Sequence, residues 1–169
     1  AYQFGIKKGS APIKGWADLK GKVVSVNKGT PYETLSKKMG EQHGFTVQAY
    51  DTQPDATQAV LSGRAYATLG GNTTIVYAAS KNPQFVADLE LTDTRAHWAA
   101  PFPKQNVALR NQMQDVLNCM KKDGTIAKLS EKWFGKVPGP DSLERVITPG
   151  YGVPGMPGYD PTTHELKCS

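Results

Sequence analysis

A chain of 169 residues with 38% hydrophobic residues and a formal charge of +5 has room for one domain or two small lobes, and its basic residues are spread in pairs such as Lys7-Lys8, Lys37-Lys38 and Lys121-Lys122. No basic run is interleaved with aromatics, which argues against nucleic acid as a partner, and no apolar stretch nears the roughly 20 residues of a membrane-spanning helix. The histidines His43, His97 and His164 are scattered, and no hydrolase, zinc, P-loop or dinucleotide motif is present, so no metal, no cofactor and no catalytic residue is assigned.

In chain order, Ala1–Ile6 reads as the middle of a strand, which leads us to expect a segment before it. A strand over 2–7 gives way to a loop over 8–12 and a helical turn at 16–21 closed by Gly21. The β-branched Val23, Val24 and Val26 predict a strand over 22–26. Its end, Lys28-Gly29-Thr30-Pro31-Tyr32-Glu33, reads as a helix start. Gly29 supplies a permissive turn, Thr30 the N-cap, Pro31 the first helical position, and Glu33 the acid of a capping box. The helix over 31–42 carries Tyr32, Leu35 and Met39 on one face and ends at Gly44. Such a start aims free N–H groups and a positive dipole end at the edge of a sheet, where a small anion can sit; an ordinary strand-to-helix turn is the alternative.

A strand at 45–50, a turn at 51–54 and a helix over 55–62 with Ala56, Ala59 and Val60 inward come next. The strand 65–69 ends at Gly70-Gly71, and Asn72 or Thr73 caps a helix to about Ser80. Residues 85–91 form a further strand, and 96–100 an extended segment leading into Pro101-Phe102-Pro103. A helix over 105–122 places Leu109, Met113, Val116, Leu117 and Met120 at helical spacing, Asp123-Gly124 breaks it, and a last helix over 125–134 turns Ile126, Leu129 and Trp133 inward. The alternation predicts an α/β fold with a mostly parallel sheet flanked by helices, which binds ligands at the carboxyl ends of its strands. Two of those ends, Gly29-Thr30 and Gly70-Gly71-Asn72-Thr73, carry glycine and threonine before a helix.

From Val137 the last 33 residues hold six prolines and five glycines, which excludes helix and central strand. The tail is either disordered or an extended strap; the strap is preferred, because Tyr151, Val153, Met156 and Tyr159 give it something to bury. Cys119 and Cys168 are either free or joined in one disulfide. The disulfide is preferred, since it would tie the tail, and it implies an oxidising compartment. His164, four residues before Cys168, does not make a zinc pattern.

Asp18-Leu19-Lys20-Gly21-Lys22-Val23-Val24-Ser25-Val26 with Gly29-Thr30, then Ala59-Val60-Leu61-Ser62-Gly63-Arg64, then Asp123-Gly124-Thr125-Ile126 with Lys132-Trp133-Phe134-Gly135, occur in one order over about 5–135. This order resembles the amino-acid-type (family 3) periplasmic solute-binding proteins of ABC importers. The resemblance implies the second lobe of a type II periplasmic binding protein over 1–102, with hinge strands at both ends. It also implies two helices belonging to lobe one over 103–136, with the tail 137–169 outside the common core. Most of the first lobe is then expected before Ala1. The protein would be periplasmic and would bind a small polar or amino-acid-like ligand, passing it to a membrane permease, with Gly29 and Thr30 as anion-facing donors, Lys28 and Tyr32 as wall residues, and Gly70, Gly71 and Asn72 as ligand-binding residues at the second strand end on the same crevice. The family's usual aspartate falls at Gly71, so an α-amino acid would lose a charge-assisted contact of about 1.5–3 kcal/mol. The alternatives are an accessory protein on the same fold, such as a partner of a quinoprotein dehydrogenase or a sensor domain, and, ranked below it, an enzyme resembling cyclohexadienyl dehydratase. Without the lobe-one sheet, Met113, Leu117 and Trp133 would be exposed and self-association is expected.

Overall fold

Val24 and Val26 are fully buried at the middle of a five-stranded sheet, on the strand the β-branched run predicts. The structure, a computed structural model, describes residues 1–95, 99–135 and 137–168, and the chain divides into two units, Ala1–His97 and Trp98–Ser169. The extended segment expected at 96–100, His97 with it, lies partly outside the described residues, as does the start of the one leading to Pro103.

The first unit runs β1 (Tyr2–Lys7), a 3-10 turn (Trp16–Leu19), β2 (Val23–Asn27), α1 (Pro31–His43), β3 (Thr46–Tyr50), α2 (Gln53–Leu61), β4 (Ala67–Gly71), α3 (Asn72–Lys81), β5 (Phe85–Leu91) and a 3-10 turn (Thr92–Thr94). The strands lie in the order β3-β2-β4-β1-β5. β2 is parallel to β3 and β4, and β1 is antiparallel to both its neighbours, so four strands share one direction and β1 alone runs against them.

Each face of the sheet has its own core. Phe4, Ile6, Leu19, Val24, Val26 and Leu69 pack with Leu35 and Met39 of α1 on one face. Ala59 and Val60 of α2 pack with Ile75 of α3 and with Phe85 on the other. Gly5 sits beneath the Phe85 ring: a Cβ there would lie 2.1 Å from Phe85 Cζ, so the ring fills the volume a side chain would need.

Three local boundaries differ from the sequence reading. α2 starts at Gln53, because Thr52 caps it by accepting the Asp55 N–H and Pro54 fits its first turn. β4 continues through Gly70 and Gly71, because β1 pairs with it as far as Tyr2↔Gly71. Gly71 is therefore the N-cap of α3, without a side-chain cap, and neither Asn72 nor Thr73 takes that place.

In the second unit, α4 (Val107–Lys122) and α5 (Thr125–Phe134) are joined through Gly124 at a positive φ. Leu109, Met113, Val116 and Leu117 are exposed on α4, as are Leu129 and Trp133 on α5. This is the exposed patch expected for Met113, Leu117 and Trp133, and it departs from the inward placing of Leu129 and Trp133. The tail is a strap along α4. Tyr151 and Asp160 exchange backbone hydrogen bonds across a loop whose glycines, from Gly150 to Gly158, all take positive φ. Arg110 Nη1 donates to the Gly158 carbonyl at 2.8 Å, Lys121 Nζ donates to Val146 at 2.9 Å, and His164 Nε2 lies 2.7 Å from Asp115 Oδ1. Cys119 and Cys168 form the expected disulfide. Tyr151, Val153 and Tyr159 are half-buried, whereas Met156 is exposed. Among the described residues no helix is long and apolar enough to cross a membrane.

Candidate functional site

The strand order fixes where a crevice opens. From β2 the chain passes through α1 to β3 on one side, then through α2 to β4 on the other side of β2. The two connecting helices pack on opposite faces of the sheet. At such a reversal the helices splay from the carboxyl ends of the central strands, and ligands of open α/β sheets lie there. The ends of β2 and β4 are neighbours, with Val26 in register with Leu69, so Gly29-Thr30 and Gly70-Gly71-Asn72 stand on one edge.

The loop Asn27–Thr30 is built by its own polar groups. Gly29 takes φ 72°, a left-handed turn that a side chain would strain. Thr30 Oγ1 donates to the Asn27 carbonyl at 2.6 Å and accepts the Glu33 N–H at 3.3 Å, which makes it the N-cap of α1. Asn27 Nδ2 ties the loop to the Asp51 carbonyl at 2.8 Å. Glu33 reaches back past the cap and takes the Gly29 N–H at 2.7 Å, while its other oxygen holds Lys37 Nζ at 2.6 Å. The Lys37 ammonium and the Gly29 N–H together hold the Glu33 carboxyl below its ordinary pKa. The Gly29 N–H therefore serves the protein's own carboxylate and does not stand open as a donor. Pro31 has no N–H, and the Glu33 and Thr34 N–H groups turn back onto Thr30, so what the first turn of α1 leaves for an anion is the Tyr32 N–H.

Tyr32 leans from the first turn of α1 over the end of β4. A Cβ on Gly71 would lie 2.9 Å from its hydroxyl oxygen. Its ring meets Tyr2 edge-on at 4.8 Å, and Tyr2 is the register partner of Gly71. Burial, with Tyr2 beside it, raises the Tyr32 pKa. On the opposite face, Gly70 lies against the Gln53 amide. Gln53 Nε2 donates to Thr68 Oγ1 at 3.0 Å, and Thr68 Oγ1 donates to the Ser25 carbonyl at 2.9 Å, a buried chain that ties α2 to the two central strands.

Of the expected residues, Thr30, Tyr32 and Gly71 thus gather on the α1 side of the edge, and Gly70 faces the α2 side. Lys28 is exposed, with its N–H on the Tyr50 carbonyl at 2.8 Å. Asn72 Oδ1 accepts the Thr73 N–H at 2.9 Å, and its backbone N–H donates to the Ala1 carbonyl at 3.0 Å. A cavity of about 790 Å³ opens beside the first turns of α1, lined by Tyr2, Gly29, Thr30, Leu35, Lys38 and Arg95 among others. Sequence reasoning missed Tyr2 and Gln53. The Thr52-x-x-Asp55 cap with Pro54 was the signal that would have placed Gln53 at a helix start.

Comparison with known proteins agrees with this fold. The L-cystine-binding protein TcyJ of Escherichia coli is 34% identical over 131 residues, 77% of this chain and 48% of that protein. An ancestral arginine-binding protein, solved bound to arginine, superposes with a TM-score of 0.63 at 33% identity, over 79% of this chain and 60% of its own. The ancestral amino acid-binding protein AncCDT-1, a precursor of cyclohexadienyl dehydratase, gives a TM-score of 0.64 at 30% identity, over 79% of this chain and 57% of its own. The chain spans about half the length of the curated relatives it matches. Residues 18–136 match the family of bacterial extracellular solute-binding proteins, family 3, and the chain belongs to that family.

Proposed function

We propose that this protein is the periplasmic solute-binding component of an ABC importer and that it holds a small polar or amino-acid-like ligand at the carboxyl ends of β2 and β4. It binds its ligand and does not transform it, and a membrane permease receives the ligand. One observation carries the reading: in a family 3 chain, the strand order reverses between β3 and β4 just where α1 begins on a Thr30 cap. An anionic group of the ligand takes the Tyr32 N–H in the first turn of α1, with the positive end of the α1 dipole behind it.

Thermal unfolding of the full-length chain against a panel of amino acids, amines and carboxylates tests this. A solute at 100 times its Kd adds about 2.7 kcal/mol of stability, an easily read rise in Tm. The reading is wrong if no solute in the panel raises Tm, or if Thr30→Ala leaves the ligand-induced rise unchanged.

A further inference from the structure

Gly70 and Gly71 are glycines because of space, not because of their backbone. Gly71 has φ −65° and ψ 137°, which any residue adopts, and neither glycine takes a positive φ. What a side chain there would meet is the end of a neighbouring side chain, which would have to move aside. A Cβ on Gly71 would stand 2.9 Å from Tyr32 Oη and 3.8 Å from Thr74 Oγ1, and one on Gly70 would stand 3.0 Å from Gln53 Oε1. Side chains from the first turns of three helices cover the end of β4, Tyr32 and Thr74 at Gly71 and Gln53 on the opposite face at Gly70. All three are neutral: a phenol, a hydroxyl and an amide. Glu33, the carboxylate of the α1 first turn, is engaged by Lys37 and Gly29. Tyr32 Oη makes no hydrogen bond among the described residues, and its ring is held by Tyr2.

We propose that Tyr32 determines the specificity of this site: its hydroxyl, seated where the side chain of residue 71 would be, selects a ligand carrying a neutral hydrogen-bonding group, a hydroxyl or an amide, over one carrying an ammonium. The inference rests on the solute-binding reading above. An ammonium placed over Gly71 gives up its water and finds the neutral hydroxyls of Tyr32 and Thr74 nearest it; the carboxylates of the neighbouring cavity are Glu33, engaged by Lys37, and Asp93, so no charge at Gly71 itself offsets its desolvation. A hydroxyl or amide exchanges one hydrogen bond to water for one to Tyr32 and carries no ion out of water. A site that hydrogen-bonds a substrate hydroxyl discriminates strongly, because a mismatched ligand leaves a polar group unpaired.

The test is calorimetric titration of the full-length chain with matched probes: alanine and lactate, glutamate and α-hydroxyglutarate, phenylalanine and phenyllactate, and the N-acetyl amino acids. The expected result is that the hydroxy or N-acetyl member of at least one pair binds about tenfold more tightly than the amino acid. Tyr32→Phe keeps the ring on Tyr2 and should remove that preference while leaving the amino acid unchanged. Tyr32→Ala with Gly71→Asp should reverse it, since alanine clears the space and the backbone at 71 admits aspartate. If the wild-type chain prefers the amino acids, or Tyr32→Phe keeps the neutral preference, this inference fails and the solute-binding reading stands. If no probe of either class binds, the reading of the site fails and this inference with it. Should the double variant not fold, the Tyr32→Phe result decides.

Discussion

Breaking the Cys119–Cys168 disulfide should free the tail, and the structure sets the size of the effect. The bond closes a loop with a sequence separation of 49. In the chain-entropy account a loop of that length is worth about 4 kcal/mol at room temperature. The remaining ties are weak by comparison. The His164–Asp115 pair has both side chains about one-third exposed, and the Arg110–Gly158 and Lys121–Val146 hydrogen bonds join flexible side chains to carbonyls. Each exposed contact of this kind contributes on the order of 0–1 kcal/mol, whereas fixing one residue's backbone costs about 1–2 kcal/mol. The tail contains more than 30 residues, so these contacts do not hold it without the covalent link. Cys168→Ser, or reduction of the wild-type chain, should therefore lower the urea midpoint of the second unit by more than about 1 M, taking a slope of roughly 1–3 kcal/mol per M. It should also open the segment around Met156 to proteolysis, with mass spectrometry placing the cuts after Val137. An unchanged midpoint together with a tail that still resists cleavage would refute the reasoning, because the non-covalent contacts would then be sufficient.

Other consequences are local. Thr30→Ala removes the α1 cap and should cost about 1 kcal/mol in urea unfolding, with most of it restored by Thr30→Ser. Gly5→Ala pushes a Cβ into the Phe85 ring, which is 1% exposed, and should cost about 1–3 kcal/mol. Phe85→Leu in the same chain should relieve part of that strain, and an additive pair would argue against the contact. Glu33 has a folded-state pKa below its ordinary value, held there by Lys37 and the Gly29 N–H. Its contribution is therefore complete above the ordinary glutamate pKa and is lost as the pH falls through the lowered one. Urea midpoints followed from neutral into acid should fall less in Glu33→Gln than in the wild type over that window.

Much of the fold was legible because its signals are local. The valine run of β2, the Thr30-Pro31-Glu33 start of α1, Gly44 in its left-handed turn and the Thr125–Phe134 helix each depend on a few adjacent residues. What was not legible depends on pairing between distant segments. Periodicity gave no sign that β1 would lie between β4 and β5 and run against both, and that pairing is what carries β4 on to Gly71 and displaces the cap of α3. The candidate site shows the same division. Gly29 and Thr30 read correctly as a turn and a cap, yet the donor assigned to Gly29 is taken by Glu33, one residue beyond the Thr30 N–H that the capping-box spacing implies. Gly71 read as a missing aspartate. Its meaning changes once Tyr32 is seen above it, because an ordinary φ with a hydroxyl 2.9 Å from the absent Cβ describes an occupied position, not an empty one. A glycine in a sequence records only that no side chain is present. Whether the reason is backbone freedom, as at Gly29, or a neighbour in the way, as at Gly5 and Gly71, is decided by residues that the chain brings in from far along its length.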